Sequence, residues 1–340
     1  MKTYHTYTEI KTQTLSWKAA LSVTQAHADS LKTLTEKYEQ VIFTGCGSTY
    51  YLSLAGAALF QKLTGKTARA VPGGELLLNP STMLDNHSHY LLVAVSRSGM
   101  TAETLKAVEK FKFEQKGDVI VISNYDTALA KLGCLSIVIP EGQEESIAQT
   151  RSFASMYVAV TALCVIAAGR DDLSEAMSSL PETGLRLINQ YEGLAKELGG
   201  NLSFDRFYFL GSGMCYGLAC EISLKMKEMT LTHSEPFHFL EFRHGPMAMA
   251  GESTVVIGFL SRKNNDFERA VLNEMLAKGA HILALSETYG DVVFGSGIPE
   301  EVCGVLYLPV LQLLAFYRSL AKDLNPDKPN HLSAVVTLDL

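Results

Sequence analysis

The chain is defined first by what it lacks. Its six cysteines (Cys46, Cys134, Cys164, Cys215, Cys220 and Cys303) are scattered in apolar surroundings, and none stands in a C-x-x-C pair. That pattern reads as buried, reduced thiols in a cytoplasmic protein. Charged residues make up only 19% of the chain and the net charge is −7, so no basic stripe exists to neutralise a phosphate backbone. A nucleic-acid partner is therefore not expected. No uninterrupted apolar run looks long enough to cross a bilayer, residues 156–169 being too short, so no membrane partner is expected. The start, Met1-Lys2-Thr3-Tyr4-His5-Thr6-Tyr7, has no apolar core and gives no signal peptide. Low-complexity segments are missing. Residues 14–38 are amphipathic and helical, without a second helix in helix-turn-helix register.

What is present is a duplication. Phe43-Thr44-Gly45-Cys46-Gly47 is echoed 166 positions later by Phe209-Leu210-Gly211-Ser212-Gly213. The stretch from Tyr90 to Arg97 is echoed from Val255 to Arg262, and that from Val119 to Ser123 by Ile282 to Ser286. A chain of 340 residues already suggests two domains, and the repeat makes them copies. Apolar strands are expected at 40–44, 68–71, 90–96, 118–123 and 135–139, alternating with helices at 52–63 and 101–115. Such alternation predicts an α/β fold with a parallel sheet buried on both faces. Helices are expected over 152–168 and 173–197. The division expected is a helical segment at 1–38, a first domain at 39–175 and a second at 176–340.

The copies differ in their polar loops. Ser96-Arg97-Ser98-Gly99-Met100-Thr101 ends a strand and opens a helix. Hydroxyls and backbone N–H groups at such a point make an anion site. The plainer alternative is that Ser96, Ser98 and Thr101 only cap the helix, though capping needs one such residue, not three with a glycine. The duplicate loop, Ser261-Arg262-Lys263-Asn264-Asn265, lacks the second serine and the glycine. Only the first copy therefore looks able to cradle phosphate. Ser48 and Thr49 add hydroxyls on the neighbouring G-x-G loop, itself a weak signal.

In the second copy Glu221, Lys225 and Glu228 fall on one helical face, where the first copy has Ala55, Leu59 and Lys62. That face is either a solvated salt bridge or a catalytic group. Phe242-Arg243-His244-Gly245-Pro246 reads as a turn presenting a polar side chain. His233, His238 and His244 lie close in sequence, but no metal-ligand spacing is present, and a surface loop histidine is the bland alternative.

Taken in order and spacing, five motifs resemble the tandem sugar isomerase (SIS) domain family. They are residues 45–49, 96–101, 144–153, 221–228 and 241–246. Within that family the likeness is to the isomerase half of glucosamine-6-phosphate synthase and to the fructosamine-6-phosphate deglycase and amino-sugar-phosphate deaminase branches. The resemblance implies two SIS units, each a five-stranded parallel sheet flanked by helices in a flavodoxin-like, doubly wound order. It implies that Ser96, Ser98, Thr101 and the Arg97 backbone hold a substrate phosphate, and that Ser48 and Thr49 line the sugar site. Ala148 and Gln149 would join the substrate-binding set. Glu228 would move a proton between C1 and C2 of the open-chain sugar, supported by Glu221 and Lys225. His244 would act in ring opening, on a loop that completes the site of a partner subunit in a homodimer. No cofactor or metal is implied.

Two departures shape the functional expectation. Lys2 stands where the synthase's glutaminase half begins with cysteine, so glutamine-dependent synthesis is not expected. Ala334 stands where the synthase carries an imine-forming lysine. A deglycase or deaminase acting on a sugar-amine 6-phosphate needs no such lysine, because its substrate already carries the nitrogen. Arg243 in the 241–246 motif also fits those branches. The alternatives are an aldose–ketose phosphosugar isomerase and a non-catalytic phosphosugar-binding regulator.

Overall fold

The computed structural model describes residues 3–85 and 87–333; Ala334 lies outside the described residues. The chain forms two compact units. The first comprises Gln13–Glu144 and Arg151–Ser178, and the second residues 3–12, Glu145–Thr150 and Ser179–Leu332. Residues 3–12 cluster with the second unit and residues 13–38 with the first. The reason lies in two acids. Buried Glu9 accepts the amides of Glu145 and Ser146 at 2.6 and 3.3 Å, and Asp327 accepts the Thr6 amide at 2.8 Å.

Helices α1 (His5–Ala26) and α2 (Ala28–Glu36) precede the first sheet. Its strands are β1 (Gln40–Gly45), β2 (Thr67–Pro72), β3 (Tyr90–Ser96), β4 (Gly117–Ser123) and β5 (Leu135–Val138). Between them run α3 (Ser48–Thr64), α4 (Gly73–Leu78), α5 (Pro80–Met83) and α6 (Ala102–Phe113), and after them α7 (Arg151–Ala167) and α8 (Asp171–Met177). The strands are all parallel, in the order β2-β1-β3-β4-β5. Every residue of β3 is buried, as its unbroken apolar sequence requires. Ile42, Leu92, Val121, Val108 and Phe111 are among the side chains of the core on the α6 face.

The second unit repeats the plan. Helices α9 (Leu180–Gln190) and α10 (Glu192–Gly200) lead into β6 (Arg206–Leu210), α11 (Met214–Thr230), β7 (His233–Phe237), α12 (Phe239–Phe242) and β8 (Thr254–Phe259). Then follow α13 (Asn265–Leu276), β9 (His281–Ser286), β10 (Val292–Val293) and α14 (Leu308–Ala321). The order β10-β9-β8-β6-β7 is that of the first sheet with each strand replaced by its copy. Helices α3 and α11 are both 17 residues long and keep the 166-residue offset at both ends.

Two expectations need correction. Residues 173–197 are not one helix but the end of α8, then α9 and most of α10. Pro181 sits in the first turn of α9, where its fixed φ and missing N–H restart a helix but cannot continue one. Also, the stretch Gly304–Ala321 is long and apolar enough to cross a membrane by length and composition alone. It is 83% buried, packed against α10 and α11 as the core helix of its unit.

Candidate functional site

In the first sheet the strand order reverses between β1 and β3, and a doubly wound sheet opens its ligand crevice at the carboxyl ends of those strands. The loops at 45–49 and 96–101 both leave from that point. Gly47 and Gly99 take φ of 56° and 62°, a region where a side chain is strained. A Cβ on Gly99 would also stand 2.3 Å from Thr127 Oγ1, which donates to the Ser98 carbonyl at 2.6 Å. Ser96 Oγ accepts the Gly99 amide and Ser98 Oγ the Met100 amide, each at 3.1 Å. These hydroxyls shape the turn. Thr101, the residue before α6, makes no side-chain cap.

Arg97 points away from this turn. Its Nη1 lies 3.2 Å from the Glu144 carboxylate, which is fully buried and also bonds Ser152. That leaves the Arg97 backbone, not the guanidinium, on the loop. Ser48 and Thr49 are buried in the first turn of α3, and Thr49 Oγ1 accepts the Cys46 amide at 2.9 Å. Burial pushes the Cys46 thiol up, against a hydrogen bond with Thr104.

The charged face of α11 is not solvated. Glu221 and Lys225 each expose only 1% of their side chains, and Glu228 exposes 20%. Lys225 Nζ stands 3.4 Å from Glu221 Oε1 and hydrogen-bonds Glu228 Oε2. In the first copy Ala55 and Leu59 are buried at the matching positions, while Lys62 is exposed. One ammonium thus bridges two carboxylates on a face whose first two positions are apolar in the sister helix. Ala148 and Gln149 belong to the same unit, in the segment anchored by Glu9 and by Gln312, whose amide donates to the Thr150 carbonyl at 3.2 Å. The Gln149 side-chain carbonyl is buried with no partner among the described residues.

His244 is placed elsewhere. Side chains alternate across a strand. Tyr208 and Leu210 of β6 pack with Phe239 and Phe242 of α12 and with Val271 and Leu272 of α13. Phe207, on the other face, lies under Arg318 of α14, and α14 packs against α11. Helices α12 and α13 therefore cover one face of β6, and α14 with α11 the other. His244 itself is exposed, on a turn fixed by Gly245 at φ 120° and by the Arg243–Glu274 ion pair. The other two histidines diverge from it. His233 is exposed near Glu235, and His238 stacks on Tyr216 with centroids 3.9 Å apart. Burial lowers the His238 pKa, with Glu241 opposing.

Glu9 and Thr127 also support these loops, and nothing in the sequence singles them out. Nothing distinguishes Glu9 from a surface acid on an amphipathic helix. Glu144 and Ser152 lie inside the 144–153 motif.

Fold and loops together define a duplicated, doubly wound α/β protein with a hydroxyl-and-glycine loop at the first copy's switch point. The chain belongs to the SIS domain family, which it matches over residues 34–166 and 203–294. It is 28% identical over 349 residues to a glutamine–fructose-6-phosphate aminotransferase (isomerizing) of Pyrococcus horikoshii, covering 97% of this chain and 57% of that protein. A second such enzyme, of Sulfolobus acidocaldarius, is 30% identical over 88% of this chain and 50% of its own length. The chain thus spans about half the length of these relatives. Among solved structures, a glucosamine-6-phosphate deaminase of Thermotoga maritima superposes with TM-score 0.76 at 28% identity, covering 94% of this chain and all of that one.

Proposed function

We propose that this chain is a phosphosugar-processing enzyme of the deglycase or deaminase type, acting on a sugar-amine 6-phosphate. The observation that carries the reading is the Glu221–Lys225–Glu228 trio. Burying the charges of Glu221 and Lys225 is costly, and the sister helix has a neutral alternative at both positions. Holding a carboxylate ready for proton transfer accounts for that cost.

The chemistry follows from one base. In a fructosamine 6-phosphate, Glu228 takes a C1 proton and an enaminol forms. Protonation at C2 gives an imine, and water splits it into a sugar 6-phosphate and a free amine. In glucosamine 6-phosphate the same base takes the C2 proton, C1 is protonated, and hydrolysis of the ketimine gives fructose 6-phosphate and ammonia. Neither route needs a lysine imine, a cofactor or a metal. In this reading the 96–101 loop binds the phosphate, with Ser48 and Thr49 on the neighbouring loop of the same unit. Lys225 orients Glu228, and Glu221 balances the charge.

His244 comes from a second copy in this reading. It follows α12, which covers the sheet face opposite α11, and its loop exposes Leu240 and Met249, 49% and 54% accessible, an apolar rim suited to self-association. Free thiols at all six cysteines fit a cytoplasmic setting. An NMR time course with a fructosamine 6-phosphate and glucosamine 6-phosphate in parallel tests the assignment. Free amine with glucose 6-phosphate marks a deglycase, and ammonia with fructose 6-phosphate a deaminase. Turnover of neither substrate contradicts the reading.

A further inference from the structure

Three successive carbonyls of the 96–101 loop are tied to the loop that follows β4, all within one unit. The Arg97 carbonyl accepts the Asn124 amide at 3.2 Å, and the Gly99 carbonyl accepts the Leu129 amide at 3.1 Å. Between them the Ser98 carbonyl accepts the Thr127 hydroxyl at 2.6 Å. A trans peptide points its carbonyl and its N–H in opposite directions. The amides of Ser98, Gly99 and Met100 are therefore turned away from residues 124–129. On that side the Ser96 and Ser98 hydroxyls accept the Gly99 and Met100 amides. A hydroxyl that has accepted one bond still has its proton to give. Amides and hydroxyl protons thus gather on one side of the turn, the polarity that an anion needs.

Two of the three ties come from backbone amides, which no side-chain change removes. The middle one comes from a side chain, and it holds the weakest link. The Ser98–Gly99 peptide ends on a glycine, which accepts φ of either sign and so lets that peptide turn over. Turned over, it would present the Ser98 carbonyl in place of the Gly99 N–H. We propose that Thr127 is a positioning residue for the phosphate: its hydroxyl holds the Ser98–Gly99 peptide with the N–H on the ligand's side. The proposal rests on the reading that the 96–101 loop binds phosphate. Gly99 belongs to the same device, because a Cβ there would stand 2.3 Å from Thr127 Oγ1 and push the hydroxyl off its carbonyl. The second copy lacks the tie. Gly290 stands four residues past Ser286, as Thr127 does past Ser123, and has no hydroxyl to give.

Titration of the full, ¹⁵N-labelled chain with inorganic phosphate, followed at the Gly99 and Met100 amides by NMR, tests this. Thr127→Val, which replaces the hydroxyl by a methyl group, should weaken phosphate binding about tenfold. Thr127→Ser, which keeps the donor, should bind as wild type does. If Thr127→Val does not fold, Thr127→Ala removes the hydroxyl without placing a methyl group at the carbonyl and is read in the same way. A folded variant without the hydroxyl that binds phosphate as wild type does overturns the proposal, even if its thermal midpoint falls, since that is the mark of a merely structural residue. Ser98→Ala with Thr101→Ala reports separately on the phosphate reading and should abolish the titration. If that control titrates as wild type does, the reading fails and the proposal fails with it; if the control loses phosphate while Thr127→Val keeps it, only the proposal fails.

Discussion

Lys225 Nζ lies 3.4 Å from Glu221 Oε1 one helical turn away, and neither side chain shows more than 1% of its surface to solvent. A pair at this spacing is worth little on a wet helix. Buried, it is an obligation, because removing one partner strands the other. Lys225→Met should therefore destabilise the protein by about 3–5 kcal/mol in urea unfolding followed by circular dichroism. Adding Glu221→Gln should recover much of that loss. An unchanged midpoint in the single variant would remove the trio from the account.

Glu228→Gln preserves shape and the Lys225 contact while removing the base. Steady-state kinetics should show kcat lowered about 10²–10⁴-fold with KM little altered. A change confined to KM would make Glu228 a binding residue instead.

Gly99 combines φ of 62° with a Cβ position 2.3 Å from Thr127 Oγ1. Gly99→Ala should cost about 1–2 kcal/mol from the left-handed conformation alone. Because the turn would shift, KM for the phosphorylated substrate should rise more than kcat falls. Adding Thr127→Ser should not restore it, since the hydroxyl oxygen remains.

If His244 serves a neighbour, mixing inactive Glu228→Gln and His244→Ala chains under subunit exchange should regain activity. Random pairing gives roughly a quarter of wild-type sites, because one site in each mixed dimer has both groups. No recovery despite demonstrated exchange would return His244 to its own chain or remove it from the site.

Burial pushes the Glu268 carboxyl above its ordinary range; the Ser261 hydrogen bonds oppose this and the Glu300 charge adds to it. A carboxyl whose folded pKa is raised favours the folded state when protonated. Its contribution is thus greatest below the unfolded value of about 4.3 and is lost as pH rises through the folded one. Between those limits wild-type stability should fall relative to Glu268→Gln with rising pH, as read by thermal melts of both proteins. A constant difference across the window would show that Glu268 is not perturbed.

The fold was legible because its signals are local and repeated. β3 is apolar at nearly every position, and the 166-residue echo carries α3 onto α11 end for end. Strand ends came within about one residue for the same reason. The helix breaks between α8 and α10 were missed although Pro181 marked one of them. The site was legible only by type. Spacing put Glu221, Lys225 and Glu228 on one face but left open whether water covered it, which tertiary packing decides. Glu9 and Glu268 carry no local mark at all. Each looks like a solvent-facing acid on a helix until the loop it binds, 137 residues away for Glu9 and Ser146, folds onto it.

In the deglycase reading Glu228 takes a proton from C1 of a ketosamine 6-phosphate. Its most direct test is a substrate deuterated at C1, followed by NMR with wild type and Glu228→Gln. Wild type should remove one C1 deuteron as free amine appears, while the variant should leave both in place with the substrate bound. Equal loss of C1 deuterium in the two proteins would contradict it.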